Sequence, residues 1–225
     1  MIERNLYTFW TEPNELTARR QNNLKELKNR CGVNFKFLNH EEIKKYELSN
    51  HRFHEGYNYL SATAKSDYLR TYFMHFYGGG YVDIKFCDFD WNPYFDQLEK
   101  SESYAIGYQA LELNNVAVDP DDLDGPTIQS HWQELIGAGA MICKPYTKFT
   151  QEWYDLVHKV LDRRLTALRE NPAKHVRDKK DWVTNSGYPL RWAELGPETL
   201  FKSCYNNKDK IIVGLPRPDL NSKYR

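Results

Sequence analysis

Four of the charged residues between Ala62 and Asp90 have types and spacing that carry the chemistry of this sequence. Asp67 and Arg70 are three residues apart, so in a helix they lie on one face. Asp83 and Lys85 are two residues apart, so in a strand they also share a face. A carboxylate beside a guanidinium and an ammonium group suits sugar hydroxyls and phosphate oxygens. The stretch therefore indicates a binding site for ligands of that kind.

The surrounding pattern predicts how these groups meet. Apolar residues recur at three- and four-residue spacing over residues 61–77, which predicts a helix with one buried stripe. Gly78-Gly79-Gly80 ends it, because glycine alone enters left-handed turns without penalty. Alternation over Tyr81–Phe86 predicts a strand with Asp83 and Lys85 near its carboxyl end, the edge where open α/β sheets bind ligands. The alternative for Asp67 and Arg70 is a surface ion pair worth about 0.2–0.5 kcal/mol.

The rest of the chain predicts an α/β domain. Strands over residues 5–10 and 33–38 flank a helix that starts after a cap at Asn14 or Thr17 and runs to about Arg30. Further elements are a strand at 136–143, a helix at 146–168, a loop or broken helix at 169–181, a short helix from Gly196 and a strand at 211–213. We expect one domain over residues 1–225 with a mixed, largely parallel sheet flanked by helices.

Composition excludes several classes of function. The chain has 225 residues, with 31 basic and 31 acidic side chains, and this balance argues against nucleic-acid binding. No apolar run approaches the roughly 18–20 residues of a transmembrane segment, and no signal peptide is visible at the start. The cysteines are far apart in sequence, at Cys31, Cys87, Cys143 and Cys204. They are typical of reduced thiols, so we expect a cytoplasmic protein.

The same stretch resembles a known family. Ser66-Asp67-x-x-Arg70 followed by Tyr-Gly-Gly-Gly-Tyr-Val-Asp83 is similar to the signature S-D-x-x-R…G-G-x-Y-x-D-x-D. That signature belongs to GT-A-fold glycosyltransferases with a DXD motif, among them yeast-type initiating mannosyltransferases, capsular-polysaccharide synthesis proteins and clostridial glucosylating toxins. Tyr7-Thr8-Phe9-Trp10 and Gly196-Pro197 extend the likeness in the right order. The resemblance implies a GT-A-type fold and transfer of a hexosyl group, with retention, from a nucleotide sugar, above all a UDP-sugar. The acceptor would be a glycan or another hydroxyl compound, as in polysaccharide biosynthesis.

The resemblance also implies a role for each matching residue. Trp10 would stack on the uracil or lie beside it. Asp67 and Arg70 would hold hydroxyls of the donor sugar, with Arg70 also reaching a phosphate oxygen. Tyr81 would pack by the nucleoside, and Asp83 would contact the ribose and the coordination sphere of the metal. For Trp10 and Tyr81, ordinary core packing is the alternative interpretation.

Lys85 departs from the family pattern. It stands where the family has the second Asp of the motif, a direct ligand of Mn²⁺ or Mg²⁺, and an ammonium group repels such a cation. One interpretation, which we favour, makes Lys85 a fixed cation for the diphosphate, so that Arg70, Asp83 and Lys85 form the catalytic group without a metal. In the other, Asp88 and Asp90 bind the divalent cation. A third is a catalytically degenerate module that binds nucleotide or glycan.

The acceptor side is predicted from aromatic and basic residues near the end of the chain. Sugars stack on exposed aromatic rings, and core packing is the alternative for such residues. The aromatic candidates are Trp182, Tyr188 and Trp192, and the basic candidates for the diphosphate charge are Arg217, Lys223 and Arg225. A nucleotidyltransferase would need a glycine-rich loop after the first strand, which Thr11-Glu12-Pro13-Asn14 does not supply.

Overall fold

The structure is a computed structural model that describes residues 2–110, 113–180 and 187–219. Its strands are β1 (Asn5–Trp10), β2 (Asn34–Asn39), β3 (Gly79–Val82), β4 (Ala105–Gln109), β5 (Ile136–Cys143) and β6 (Ile211–Val213). They form one sheet in the order β2-β1-β3-β5-β4-β6. The pairs β2–β1, β1–β3 and β4–β6 are parallel, whereas β5 is antiparallel to both β3 and β4. Among these six strands β5 alone is reversed, which confirms the mixed, largely parallel sheet.

Helices cover both faces of this sheet. They are α1 (Ala18–Arg30), α2 (His40–Lys44), α3 (Ala62–Phe76), α4 (Asn92–Glu99), α5 (Gly125–Ser130), α6 (Lys148–Glu170) and α7 (Pro197–Asn206). Side chains of α3, α6 and α7 share one core cluster with Tyr7 and Phe9, and side chains of α1 and α4 share the other with Leu6. Alternate residues of β1 therefore feed opposite cores. None of the described helices is long and apolar enough to cross a membrane.

The segment from α3 to β3 positions the charged residues. The Ser61 side chain caps α3 by accepting a hydrogen bond from the Ala64 amide, and the middle of the helix is fully buried. Gly78 and Gly79 have φ values of 63° and 84°, a region that side chains disfavour, so the predicted glycine stop is confirmed. A Cβ on Gly79 would also meet the Asn5 carbonyl oxygen at 2.7 Å. The turn therefore feeds the chain directly from α3 into the centre of the sheet.

Two sequence predictions need correction. The strand predicted over Tyr81–Phe86 ends at Val82, because the chain turns sharply there and the Lys85 amide donates to the Asp83 carbonyl at 2.6 Å. Asp83 and Lys85 therefore lie on one side through a turn and not through strand alternation. The pattern also predicts no element between residues 92 and 130, where the structure has α4, β4 and α5. These elements are short, and their apolar periods are too brief to stand out.

All four cysteines are free and buried, in two pairs on opposite faces of the sheet. Cys31 and Cys87 belong to the core beneath α1 and α4, while Cys143 and Cys204 belong to the core beneath α7. Burial raises the pKa of Cys87 to about 12, and the pKa of Cys204 to about 12 as well. The native thiols are therefore poor nucleophiles.

Candidate functional site

Five residues predicted from the sequence meet at the carboxyl end of β3. We call them the edge network: Asp67, Arg70, Tyr81, Asp83 and Lys85. The Tyr81 hydroxyl donates to Asp83 Oδ1 at 2.7 Å. Arg70 Nη2 lies 3.3 Å from the Tyr81 hydroxyl, 3.7 Å from Asp83 Oδ1 and 3.2 Å from Asp67 Oδ1. Lys85 Nζ lies 3.0 Å from Asp83 Oδ2. The structure thus brings two carboxylates and two cations together around one tyrosine hydroxyl.

The two carboxylates of the edge network differ in their electrostatics. Burial raises the pKa of Asp67 to about 6, against the opposing effect of Arg70 and with the help of the Asp83 charge. Burial also disfavours ionised Asp83, but Lys85 and Arg70 outweigh it and lower the pKa of that carboxyl below its ordinary value. At neutral pH Asp83 is firmly ionised, whereas Asp67 titrates close to physiological pH.

Arg70 is held from several sides and still has unused hydrogen-bonding capacity. Its guanidinium carbon lies 4.5 Å from the centroid of the Tyr81 ring, a cation–π contact. Within the described part of the chain, its buried Nε has no hydrogen-bond partner. Arg70 and Asp67 are each 6 % exposed, so their ion pair belongs to the interior and is not the surface pair that the sequence also allowed.

Two glycines to which the sequence analysis assigned no place in the site lie against the carboxylates. A Cβ on Gly196, just before α7, would lie 2.7 Å from Asp67 Cγ. A Cβ on Gly139, in β5, would lie 3.2 Å from both Asp83 Oδ2 and the Tyr108 hydroxyl. Tyr108 accepts a hydrogen bond from the Gly139 amide at 3.2 Å and so supports this wall of the site. Their signal in the sequence is only the small-residue character of β5 and the Gly-Pro pair.

Tyr81 is placed differently from the expectation. The residue is 2 % exposed, and its hydroxyl contacts Ser66 Oγ at 3.4 Å besides Arg70 and Asp83. Burial leaves no ring face for a nucleoside, so the predicted packing of Tyr81 beside the nucleoside is corrected. Tyr81 instead positions the Arg70 guanidinium and the Asp83 carboxylate.

Trp10 ends β1 at the same edge of the sheet. Its indole N–H donates to the Asn14 carbonyl at 2.7 Å, and the Arg20 guanidinium carbon lies 4.6 Å from the ring centroid. The ring is half-buried, with one face toward Arg20. The Thr11 hydroxyl donates to the Ala62 carbonyl at 3.0 Å and ties this loop to the start of α3. Stacking of Trp10 on a uracil stays a prediction.

The residues present do not fit a divalent cation. Lys85 and Tyr81 already engage both oxygens of Asp83, the predicted metal ligand. Asp88 is exposed, and Asp90 accepts hydrogen bonds from the backbone and side chain of Asn92, next to the turn before β2 at the opposite edge of the sheet. Across residues 2–110, 113–180 and 187–219, no three His, Cys, Asp or Glu side chains cluster as metal ligands. Hard cations need several oxygen ligands, and Asp83 alone does not supply them.

The predicted acceptor residues separate into different environments. Tyr188 is 2 % exposed and its hydroxyl accepts a hydrogen bond from the Ser61 amide, so it belongs to the core. Trp192 is 45 % exposed, with Lys179 Nζ 4.0 Å from its ring centroid. Arg217 is exposed on the segment that follows β6. Trp182, Lys223 and Arg225 lie outside the described residues.

A second buried network, formed by Arg164, Arg191, Glu194 and Glu198, links α6 to the start of α7. Arg164 Nε donates to Glu194 Oε1 at 2.8 Å, and the Arg191 amide donates to Glu194 Oε2 at 3.0 Å. Arg191 Nη2 donates to Glu198 Oε2 at 2.6 Å. Burial raises the pKa of Glu198 despite this partner. The sequence analysis did not find this network, which borders a cavity of about 400 Å³ between α5, α6 and α7.

Comparison with known proteins supports the fold. No protein-family model matches the chain, and no curated protein sequence matches it. Among solved structures, the chain is similar to PaToxG glycosyltransferase, with a TM-score of 0.50 and 13 % sequence identity. The likeness covers 91 % of this chain and 69 % of that chain. At this level of identity, the chain shares the α/β fold of a glycosyltransferase of GT-A type, and its function has to be argued from the site.

Proposed function

We propose that this chain is a glycosyltransferase that moves a hexosyl group from a nucleotide sugar, a UDP-sugar, to a hydroxyl of a glycan or similar acceptor. The observation that carries the proposal is the edge network, in which Arg70 and Lys85 converge on Asp83 at the ligand-binding edge of the sheet. The fold it shares with a glycosyltransferase structure supports the same conclusion. Single-domain organisation, a cytoplasmic location and a lack of nucleic-acid binding remain predictions.

The proposed roles follow from the contacts. Asp67 and Arg70 hold hydroxyls of the donor sugar, and the unpartnered Nε of Arg70 gives its guanidinium spare capacity for an oxygen of the donor. Arg70 and Lys85 place two positive charges where the diphosphate would lie. Asp83 fixes both cations in advance, so that they need little reorganisation when the donor binds. Trp10 lies at the same edge for the base.

The proposed reaction needs no protein nucleophile. The bond between the sugar C1 and the diphosphate oxygen breaks, and the acceptor oxygen bonds to C1 on the same face, with retention. The acceptor hydroxyl proton passes to an oxygen of the departing diphosphate. Arg70 and Lys85 stabilise the negative charge that develops there, while the site holds the two sugars in register. In this proposal Lys85 supplies the charge that Mn²⁺ or Mg²⁺ supplies elsewhere.

Calorimetric titration with UDP and UDP-glucose, with and without Mn²⁺, tests the proposal. We expect binding in the micromolar range that does not depend on the metal. Binding that appears only with Mn²⁺ would keep a donor site but would remove the fixed-cation role from Lys85. Failure to bind under either condition would contradict a UDP-sugar site. Glu170→Gln, at an exposed position at the end of α6 and in none of the candidate sites, is the matched control and should bind as the wild type does.

The second candidate is a degenerate module that binds nucleotide or glycan without turnover. The observation that favours it is the Lys85–Asp83 ion pair. Because Lys85 already neutralises the Asp83 carboxylate, the site is stable without the metal ion that a catalytic site of this family would hold. The variant Lys85→Asp separates the two candidates in an assay of UDP-glucose hydrolysis and transfer. Collapse of an existing activity would assign Lys85 to the mechanism. Appearance of Mn²⁺-stimulated activity where the wild type has none would identify a degenerate enzyme.

A further inference from the structure

The segment that follows β6, residues 214–219, returns to the loop that carries Lys85, and we call it the strap. The Gly214 and Leu215 amides both donate to the Gly107 carbonyl of β4 at 3.0 Å. At the other end, the Asp219 amide donates to the Phe86 carbonyl, also at 3.0 Å. Because β3, β4 and β6 run in the same direction, the strap stays at the carboxyl edge of the sheet, where the edge network lies.

The sequence of the strap suits this path. Pro216 and Pro218 stand at alternate positions, and each restricts its own φ and favours extended backbone at the residue before it. Only β5 separates β4 from β3, so the path from Leu215 spans two strand spacings, about 10 Å. Four residues of extended, polyproline-type backbone cover about 12 Å. Leu215 is 5 % exposed and packs into the core beneath α1 and α4, which anchors the start of the strap.

The loop that the strap reaches has no regular structure to hold Lys85 in place. No helix or strand covers residues 83–91. Asn23 of α1 donates to the Ile84 carbonyl at 3.5 Å, which is a long hydrogen bond. Distant elements therefore bind the carbonyls directly before and directly after Lys85, and the hydrogen bond from the strap to Phe86 is the shorter of the two.

We propose that the strap is a positioning element of the donor site, which holds Lys85 beside Asp83 before the donor binds. The inference rests on the proposed function and deepens it by naming what fixes the Lys85 cation. A cation stabilises a departing diphosphate best when it needs no reorganisation, and a loose loop would first have to be ordered. The strap provides that order through the Asp219 amide and does not itself contact the donor.

The variant Asp219→Pro tests this role, because proline has no amide hydrogen and cannot donate to the Phe86 carbonyl. Asp219→Ala loses the same side chain and keeps the amide, so the difference between the two variants measures the amide alone. Calorimetry with UDP, and hydrogen exchange of the peptides that contain Lys85, would compare both variants with the wild type and with the remote control Glu170→Gln.

The expected result is weaker binding together with a looser loop. Asp219→Pro should bind UDP about three- to tenfold more weakly than Asp219→Ala, which is the effect of one hydrogen bond. Its peptides around Lys85 should also exchange faster, with and without UDP. Should Asp219→Pro not fold, Pro216→Gly replaces it. This variant keeps the hydrogen bonds of the strap but loosens its backbone, and it should bind UDP about two- to fivefold more weakly than the wild type.

The variant Lys85→Ala distinguishes positioning of Lys85 from a general effect on the fold. If the strap acts through Lys85, adding Asp219→Pro or Asp219→Ala to Lys85→Ala should give the same UDP affinity. Equal UDP affinities of Asp219→Pro and Asp219→Ala, or a difference between them that persists without the Lys85 side chain, would overturn the inference. If the wild type does not bind UDP, the proposed function is overturned, and hydrogen exchange alone then decides whether the strap holds the loop.

Discussion

The edge network and the second network are both buried clusters of charged residues that include arginine. They differ in how completely their hydrogen-bonding groups are paired. In the second network, Glu194 has a fully buried side chain whose two oxygens accept hydrogen bonds from Arg164 and from the Arg191 backbone. In the edge network, Arg70 Nε lacks a partner within the described residues, and the pKa of Asp67 is raised to about 6. A saturated network stabilises the fold, whereas an unsaturated one is arranged for a group that has yet to bind.

Removal of the Glu194 charge should have the largest effect, and that effect should be a loss of stability. Glu194→Gln leaves Arg164 without its buried counter-charge and leaves Arg191 with Glu198 and Asp119, so we expect the free energy of unfolding to fall by about 3–5 kcal/mol. Urea denaturation measures this loss. The control Asp121→Asn, at an exposed position of the nearby loop, should change stability by less than about 0.5 kcal/mol. If folded Glu194→Gln bound UDP more weakly than the wild type, the second network would also serve ligand binding. The contrast between the two networks would then be wrong.

The next effect concerns the dependence of stability on pH. The pKa of Asp67 is about 6 in the folded protein against an ordinary value of 3.8, so between these values the folded state keeps a proton that the unfolded chain releases. Stability contributed at Asp67 therefore falls as pH rises from about 4 to about 6, by about 3 kcal/mol in all. Denaturation of wild type and Asp67→Asn across this range should show the variant gaining stability relative to the wild type.

For Asp83 the stability changes with pH in the opposite direction, because its pKa is lowered and not raised. Its pKa is lowered in the folded protein, so the stability that it contributes is complete above the pKa of the unfolded chain and is lost only as pH falls below about 4. Asp83→Asn also removes a charge that raises the pKa of Asp67, so between pH 4 and pH 6 it should gain stability relative to the wild type, but by less than Asp67→Asn does. A larger gain for Asp83→Asn than for Asp67→Asn, or no gain for Asp67→Asn between pH 4 and pH 6, would contradict the assignment.

The smallest effect distinguishes the two glycine walls. Gly196→Ala puts a methyl group 2.7 Å from Asp67 Cγ and should displace that carboxylate, at a cost of about 1–3 kcal/mol in stability. Gly139→Ala places a methyl group 3.2 Å from Asp83 Oδ2, which a shift of a few tenths of an ångström relieves. Thermal unfolding and UDP-glucose titration should therefore both rank Gly196→Ala as the more damaging change. Equal effects would mean that Asp67 is free to move.

The edge network was predictable because its members are close in sequence. The aromatic period of α3, the glycine turn and the charges after it all lie within one stretch, and local spacing alone brings Asp67, Arg70 and Asp83 to one edge. The sequence predicts that Lys85 lies beside Asp83 because both are in one strand, whereas in the structure a turn brings them together. Alternation over six residues does not show where a strand ends.

Long-range contacts account for what the sequence did not reveal. Gly196 approaches Asp67 from more than a hundred residues away, and although its Gly-Pro pair resembles the family pattern, nothing in the sequence places it beside Asp67. The second network likewise joins Arg164 of α6 to Glu194 before α7. Such pairings depend on how elements pack, which residue order alone does not specify. β4 and α4 were missed for a simpler reason, since five to eight residues give too short a period.

The two buried pairs of cysteines allow local unfolding of the molecule to be measured by chemical labelling. A thiol that is buried and protonated reacts with an alkylating reagent only when its surroundings unfold, so the rate of labelling reports the frequency of local opening. Cys31 and Cys87 report on one face of the sheet, and Cys143 and Cys204 report on the other. Mass spectrometry of a timed alkylation would therefore show which layer of the protein loosens first, without any engineered probe.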